Sequence, residues 1–192
     1  MAKKKTLPAA SEIFKAAFTQ IETGGVGAFS LEHLANDLNV EPGLLAPMLN
    51  DPASLAAAFG RFVDQSVAQE VGADEGGDEP AHDRLFEVLM ARFDILQEYR
   101  GGVITLSKEA RRHPAVFGEL ASALPKSMER MLDLAGLLTD RSRRGLQVAG
   151  LTALWLRCAR TWMKDEGDDM PKTMSVLDKS LKDAGSIARR LF

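Results

Sequence analysis

Side-chain chemistry needs nucleophiles, acids, bases or metal ligands at workable spacing, and this chain of 192 residues offers few. Its three histidines, His33, His82 and His113, lie far apart and lack metal-ligand spacing. The single Cys158 can form no internal disulfide and suits a reducing, cytoplasmic setting. Gly24-Gly25-Val26-Gly27 has no strand before it, so it is not a phosphate-cradling loop. Asp168-Asp169 falls in a loop, and no Ser/His/Asp order stands out. The expectation is no catalytic residue, no metal ligand and no cofactor. Charge and apolar surface remain. Lys3, Lys4 and Lys5 form a basic arm that could grip a nucleic-acid backbone or serve as a solvated tail. Arg141, Arg143 and Arg144 precede the longest apolar helix and read as a solvated helix start, with phosphate or anionic-lipid contact the alternative. Arg111-Arg112-His113 reads as the solvated C-terminal end of a helix, where cations are favoured.

The elements that must position these groups follow from composition and period. Bases number 24 and acids 27, a net charge of −3, and 45% of residues are hydrophobic. Those are globular values. The uncharged stretch Gly145 to Leu156 is too short to span a bilayer, and no apolar region follows the first lysines, so neither a membrane span nor a secretory signal is expected. Between 72 and 81, four acids, three glycines and a proline read as a solvated linker. Ile13, Phe14, Ala17, Phe18 and Ile21 mark one apolar helix face that Gly24-Gly25 stops. Ser30 caps a short second helix, and Pro42-Gly43 opens a third. Asp51-Pro52 starts a fourth, with Pro47 falling inside helix three. Further helices are expected near 82–100, 103–112, 114–136, 142–165 and 170–190, with Val103-Ile104-Thr105 the lone strand-like triplet. The class is all-α. The expected organisation is a helix-turn-helix domain over 1–66, a helix end and acidic linker over 67–81, and a helical ligand-binding and dimerisation domain over 82–192.

Three helices in the first 65 residues, with a tight second-to-third connection, suggest a helix-turn-helix. Leu34, Ala35, Leu38, Val40 and Leu45 stand where its packing is needed. Over Ile13 to Phe62 the chain resembles the TetR-like (tetracycline-repressor) family. A first helix ends before glycine, Ser30 caps the second helix, Ala35 lies inside it, and Val40-Glu41-Pro42-Gly43 leads into the third. The resemblance implies a ligand-responsive transcriptional regulator that meets operator DNA through Ser30, Glu41, Pro42, Gly43, Leu44, Ala46 and Pro47, with the Lys3–Lys5 arm as a further anchor. Ala46 and Pro47 stand where the family places Tyr and His against phosphate, and Pro52 replaces a Lys. Residues 1–66 hold five bases and seven acids, and from 30 to 62 only Arg61 is basic. An acidic or apolar exposed face on helix three would weaken the regulator reading, because phosphate neutralisation dominates nucleic-acid affinity.

The segment from Trp162 to Leu181, an aromatic, an acidic cluster, a Thr and then Leu-Asp and a base, resembles the TetR-fold lipid-binding proteins of ubiquinone biosynthesis. That implies the alternative of an accessory protein that binds lipid or isoprenoid and no DNA. In either reading a small apolar ligand or lipid is expected among Leu89, Met90, Phe93, Leu96, Phe117, Met128, Met131, Leu132 and Trp155, where Met suits irregular ligands. A homodimer is expected through Leu146, Ala149, Gly150, Ala153, Leu154, Met174, Leu177 and Leu181, with the small residues permitting close helix approach.

Overall fold

The computed structural model describes residues 6–72, 79–138 and 140–191, with side chains described through residue 186. Lys3, Lys4, Lys5 and most of the acidic linker lie outside the described residues. The element order is α1 (Ala10–Gly24), α2 (Leu31–Asp37), α3 (Pro42–Leu45), α4 (Pro52–Val71), α5 (Ala81–Gln97), α6 (Arg100–Glu109), α7 (Pro114–Leu134), α8 (Arg141–Trp162) and α9 (Pro171–Leu191). Short 3-10 turns at Val26–Ala28 and Ala110–Arg112 follow α1 and α6. No β-strand occurs among the described residues, and the class is all-α. Val103, Ile104 and Thr105 lie inside α6.

Packing groups the chain into two units that differ from its linear order. The first is 1–66 with 94–123, and the second is 67–93 with 124–192. The changes fall within α4, α5 and α7.

In the first unit, Ile13, Phe14, Ala17, Phe18 and Ile21 of α1 are all buried, as their helical period requires. Phe18 sits edge-on to Phe59 at 4.4 Å between centroids, and Phe59 meets Tyr99 at 5.1 Å. Such ring pairs add about 0.5–1.5 kcal/mol each beyond their area. Gly102 lets α6 cross α1 closely, because a Cβ there would lie 2.5 Å from the Phe18 carbonyl oxygen.

In the second unit, Leu89, Phe93, Met128, Met131 and Leu177 are fully buried. Phe93 stacks on Trp155 at 4.4 Å, and the buried Arg92 guanidinium lies 5.2 Å from the Trp155 ring centroid. Helix α7 ends in a left-handed glycine, Gly136 (φ 64°). The Leu137 N–H returns to the Leu132 carbonyl and that of Gly136 to Asp133, satisfying two terminal acceptors. Among the described residues no helix is long and apolar enough to cross a membrane.

Candidate nucleic-acid interface

Ser30 is the N-cap of α2, and its hydroxyl accepts the His33 N–H at 3.3 Å. The half-buried Gln20 on α1 holds both ends of this helix. Its Oε1 accepts the Ser30 N–H at 3.1 Å, and its Nε2 donates to Asp37 at 3.3 Å. Nothing in the sequence spacing marked Gln20, because the contact joins two helices across a turn. Leu34, Ala35, Val40, Leu45 and Leu49 are buried to 5% exposure or less and fix the angle between α2 and α3. Asn39 makes the turn in the left-handed region (φ 53°), where its short side chain is better tolerated than most.

Helix α3 is a single turn that ends at Leu45, with residues 46–48 in a turn. Pro47 therefore lies beyond α3 and not inside it, a correction to the sequence expectation. Proline has no N–H to donate, and the chain tightens instead, with Met48 N–H and Leu49 N–H both returning to the Leu45 carbonyl. The exposed residues of this segment are Glu41, Gly43, Pro47 and Met48, while Pro42, Leu44 and Ala46 are half-buried. That face is apolar and acidic, with no base. Helix α4 begins with a reciprocal cap. The Asp51 carboxylate accepts the Ser54 N–H at 2.7 Å, and the Asp51 N–H donates to the Ser54 hydroxyl at 2.9 Å. The Ser54 backbone hydrogen bond is the main reason the Asp51 carboxyl titrates below its ordinary value.

The residues expected to line a ligand pocket divide between the units. Leu89, Met90, Phe93, Met128, Met131, Leu132 and Trp155 belong to the second, and all but the half-buried Met90 are close-packed core. Leu96 and Phe117 belong to the first, and Phe117 is 51% exposed, so it does not line an apolar interior. The first turns of α7, from Pro114 to Gly118, are exposed except Val116, which explains that correction. Surface hollows occur among the described residues of the second unit. One, of about 390 Å³, is lined by His82, Asp83, Phe86, Met174, Ser175 and Asp178. Another, of about 360 Å³, lies among Lys126, Glu129, Arg130, Asp133 and Leu138.

Of the expected dimer residues, Leu146, Ala149, Gly150, Ala153 and Met174 are exposed, and Leu154 is half-buried. A Cβ on Gly150 would meet nothing within 4 Å. Leu177 (0%) and Leu181 (7%) are instead buried within the chain, because that face of α9 packs on α8. Cys158 is fully buried, and burial pushes its thiol pKa up.

Asp165 and Thr173, both within the segment singled out for its resemblance, form a buried clamp across the α8–α9 turn. One Asp165 oxygen accepts the Thr173 N–H at 2.8 Å and its hydroxyl at 2.9 Å. Burial opposes ionisation of this carboxyl, but these hydrogen bonds, the charge of Lys172 and the Gly167 backbone outweigh it and hold its pKa below the usual value.

No family model matches the chain, and no curated protein matches it. Solved structures do. The TetR transcriptional regulator from Nitrosomonas europaea superposes with a TM-score of 0.76 at 18% identity, over 93% of this chain and 99% of that one. The fold is TetR-like. A bacterial regulatory protein in the TetR family from Rhodococcus RHA1 aligns with a TM-score of 0.53 at 22% identity, over 92% of this chain and 97% of its own. The TetR-like fold accounts for the order of α1–α4 and the run of longer helices that follows. At such identities the likeness establishes architecture, and activity must be argued from the site.

Proposed function

We propose that the protein is a TetR-type, ligand-responsive transcriptional regulator acting in the cytoplasm as a homodimer. The observation that carries this reading is the helix-turn-helix geometry: a capped α2, a left-handed Asn39 turn, a buried inter-helix core and a capped α4. The exposed Leu146, Ala149, Gly150 and Ala153 of α8 supply the two-fold seam, joined by Met174 of α9. The Met-rich core of the second unit supplies the responsive element, since Met128 and Met131 can repack around a small apolar ligand. Selection from a random duplex library, followed by binding isotherms at several salt concentrations, tests the reading. Enrichment of one palindromic sequence supports it, and binding with no sequence preference at any salt concentration sinks it. Substituting Lys3, Lys4 and Lys5 by alanine in the same assay measures the share of the salt dependence that the arm supplies.

One observation favours a second reading, the accessory protein that binds lipid or isoprenoid and no DNA. The exposed face of α3 offers Glu41, Gly43, Pro47 and Met48 and no base. Native mass spectrometry of the purified protein separates the two: a co-purified lipid together with no DNA binding supports the second.

A further inference from the structure

We propose that the surface contacting DNA phosphates is the C-terminal end of α6, where Lys108, Arg111 and Arg112 hold the duplex backbone beside the helix-turn-helix. The inference rests on the regulator reading and assigns a site that the helix-turn-helix itself does not supply. Between residues 6 and 66 the only bases are Lys15 and Arg61. Neither belongs to α2 or α3. Yet the same compact unit includes residues 94–123, and with them the three exposed bases at the end of α6 and the turn that follows. Among the described residues no carboxylate forms an ion pair with any of the three.

The acid that interrupts this cluster is already engaged. Glu109 turns to the α1–α2 connection, where its carboxylate accepts the Val26 N–H at 2.8 Å. Gly25 makes room for it: a Cβ there would lie 3.0 Å from the same carboxylate oxygen. This hydrogen bond fastens the end of α6 to the turn that leads into Ser30. Three residues lie between Val26 and Ser30, four Cα–Cα steps that span at most about 14 Å. The end of α6, which carries the basic cluster, therefore lies close to the start of α2 within the unit. Two guanidinium groups and an ammonium suit phosphodiester oxygens, which Arg can engage through paired N–H donors. Interactions of this kind set register and affinity without reading sequence, so α3 is left to meet base edges through apolar and backbone groups. A cation-free α3 and a cation cluster on its flank then become two parts of one surface.

The test compares wild type, the triple variant Lys108→Gln/Arg111→Gln/Arg112→Gln, and the conservative pair Arg111→Lys/Arg112→Lys. Binding to a labelled DNA duplex is followed by anisotropy from low to physiological salt. The triple variant should bind at least about tenfold more weakly, and its log–log salt slope should become shallower by about 0.9 for each phosphate it no longer neutralises. The Lys pair should keep the slope. Circular dichroism and melting establish that the variants fold, and Arg111→Gln/Arg112→Gln alone carries the same test if the triple variant does not. If wild type binds DNA and the triple variant matches it in affinity and slope, the inference is overturned and the regulator reading stands. If wild type binds no DNA at any salt, both fall. Release of the triple variant from phosphatidylglycerol vesicles, with no DNA binding by wild type, would assign the surface to lipid and also overturn the proposal.

Discussion

At the scale of single residues, the Asp165–Thr173 clamp has the clearest consequences. The carboxylate is 1% exposed and accepts two hydrogen bonds from one residue, so deleting a donor leaves a buried acceptor under-satisfied. Thr173→Val keeps the shape and removes only the hydroxyl, and should cost about 1–2 kcal/mol in urea unfolding. Thr173→Ser keeps that donor and should cost less. Because the folded carboxyl titrates below its unfolded value, its contribution is full above about pH 5. It is lost as pH falls through the depressed folded value, so the Thr173→Val penalty should shrink in acid. A penalty that does not change with pH would separate the hydroxyl from the charge. The sequence displayed both residues inside a recognisable segment, but not their pairing. Eight residues of irregular chain can close in many ways, and Met170 closes this one in the left-handed region (φ 48°), a choice no pattern announces. Gln20 and Glu109 were hidden for the same reason: each serves a backbone N–H brought to it by tertiary packing.

At the scale of elements, helical period located nearly every helix, since a buried stripe repeats on its own account. The boundaries of α3 were harder. Pro42 opens that helix well, yet Pro47 bars its continuation, and the length left between them is one turn. The strand-like Val103-Ile104-Thr105 was overruled by α6, which must be helical to set Gly102 against α1. Two alanine substitutions measure that crossing. Gly102→Ala would put a methyl 2.5 Å from the Phe18 carbonyl and 2.6 Å from its Cβ, and backbone cannot easily yield. It should destabilise by about 1–3 kcal/mol. Gly118→Ala on α7 meets nothing within 4 Å and should be neutral or stabilising by up to about 1 kcal/mol, since alanine is the better helix former. Equal melting temperatures for the two variants would show that the α1–α6 approach is looser than the geometry says.

At the scale of the whole molecule, the two-unit grouping was invisible from composition, because the acidic stretch that breaks the linear pattern is not where packing divides. Charge was legible throughout, and it makes the dimer testable in a way that burial alone does not. Helix α8 carries five arginines and no acid. Arg143, Arg157 and Arg160 are exposed, each seven residues, or two helical turns, from Gly150 or Ala153 on the small-residue face. A two-fold seam on this face sets a basic surface against its own copy. Its attraction must come from apolar burial, and its electrostatics must oppose assembly. Added salt screens that repulsion over a Debye length of about 10 Å at 0.1 M, so the dimer should tighten as salt rises. DNA binding through cations responds in the opposite sense and should weaken. Sedimentation velocity across a salt series, paired with DNA binding over the same series, should show the two affinities diverging. Gly150→Arg adds a further cation and a bulky side chain at the seam, and should give monomers at micromolar concentration. Those monomers should bind a palindromic duplex far more weakly than wild type, because two linked half-site interactions become one. A dimer that loosens with salt would mean ion pairs hold it, and because α8 carries no acid the seam would then have to draw acids from another element or lie elsewhere.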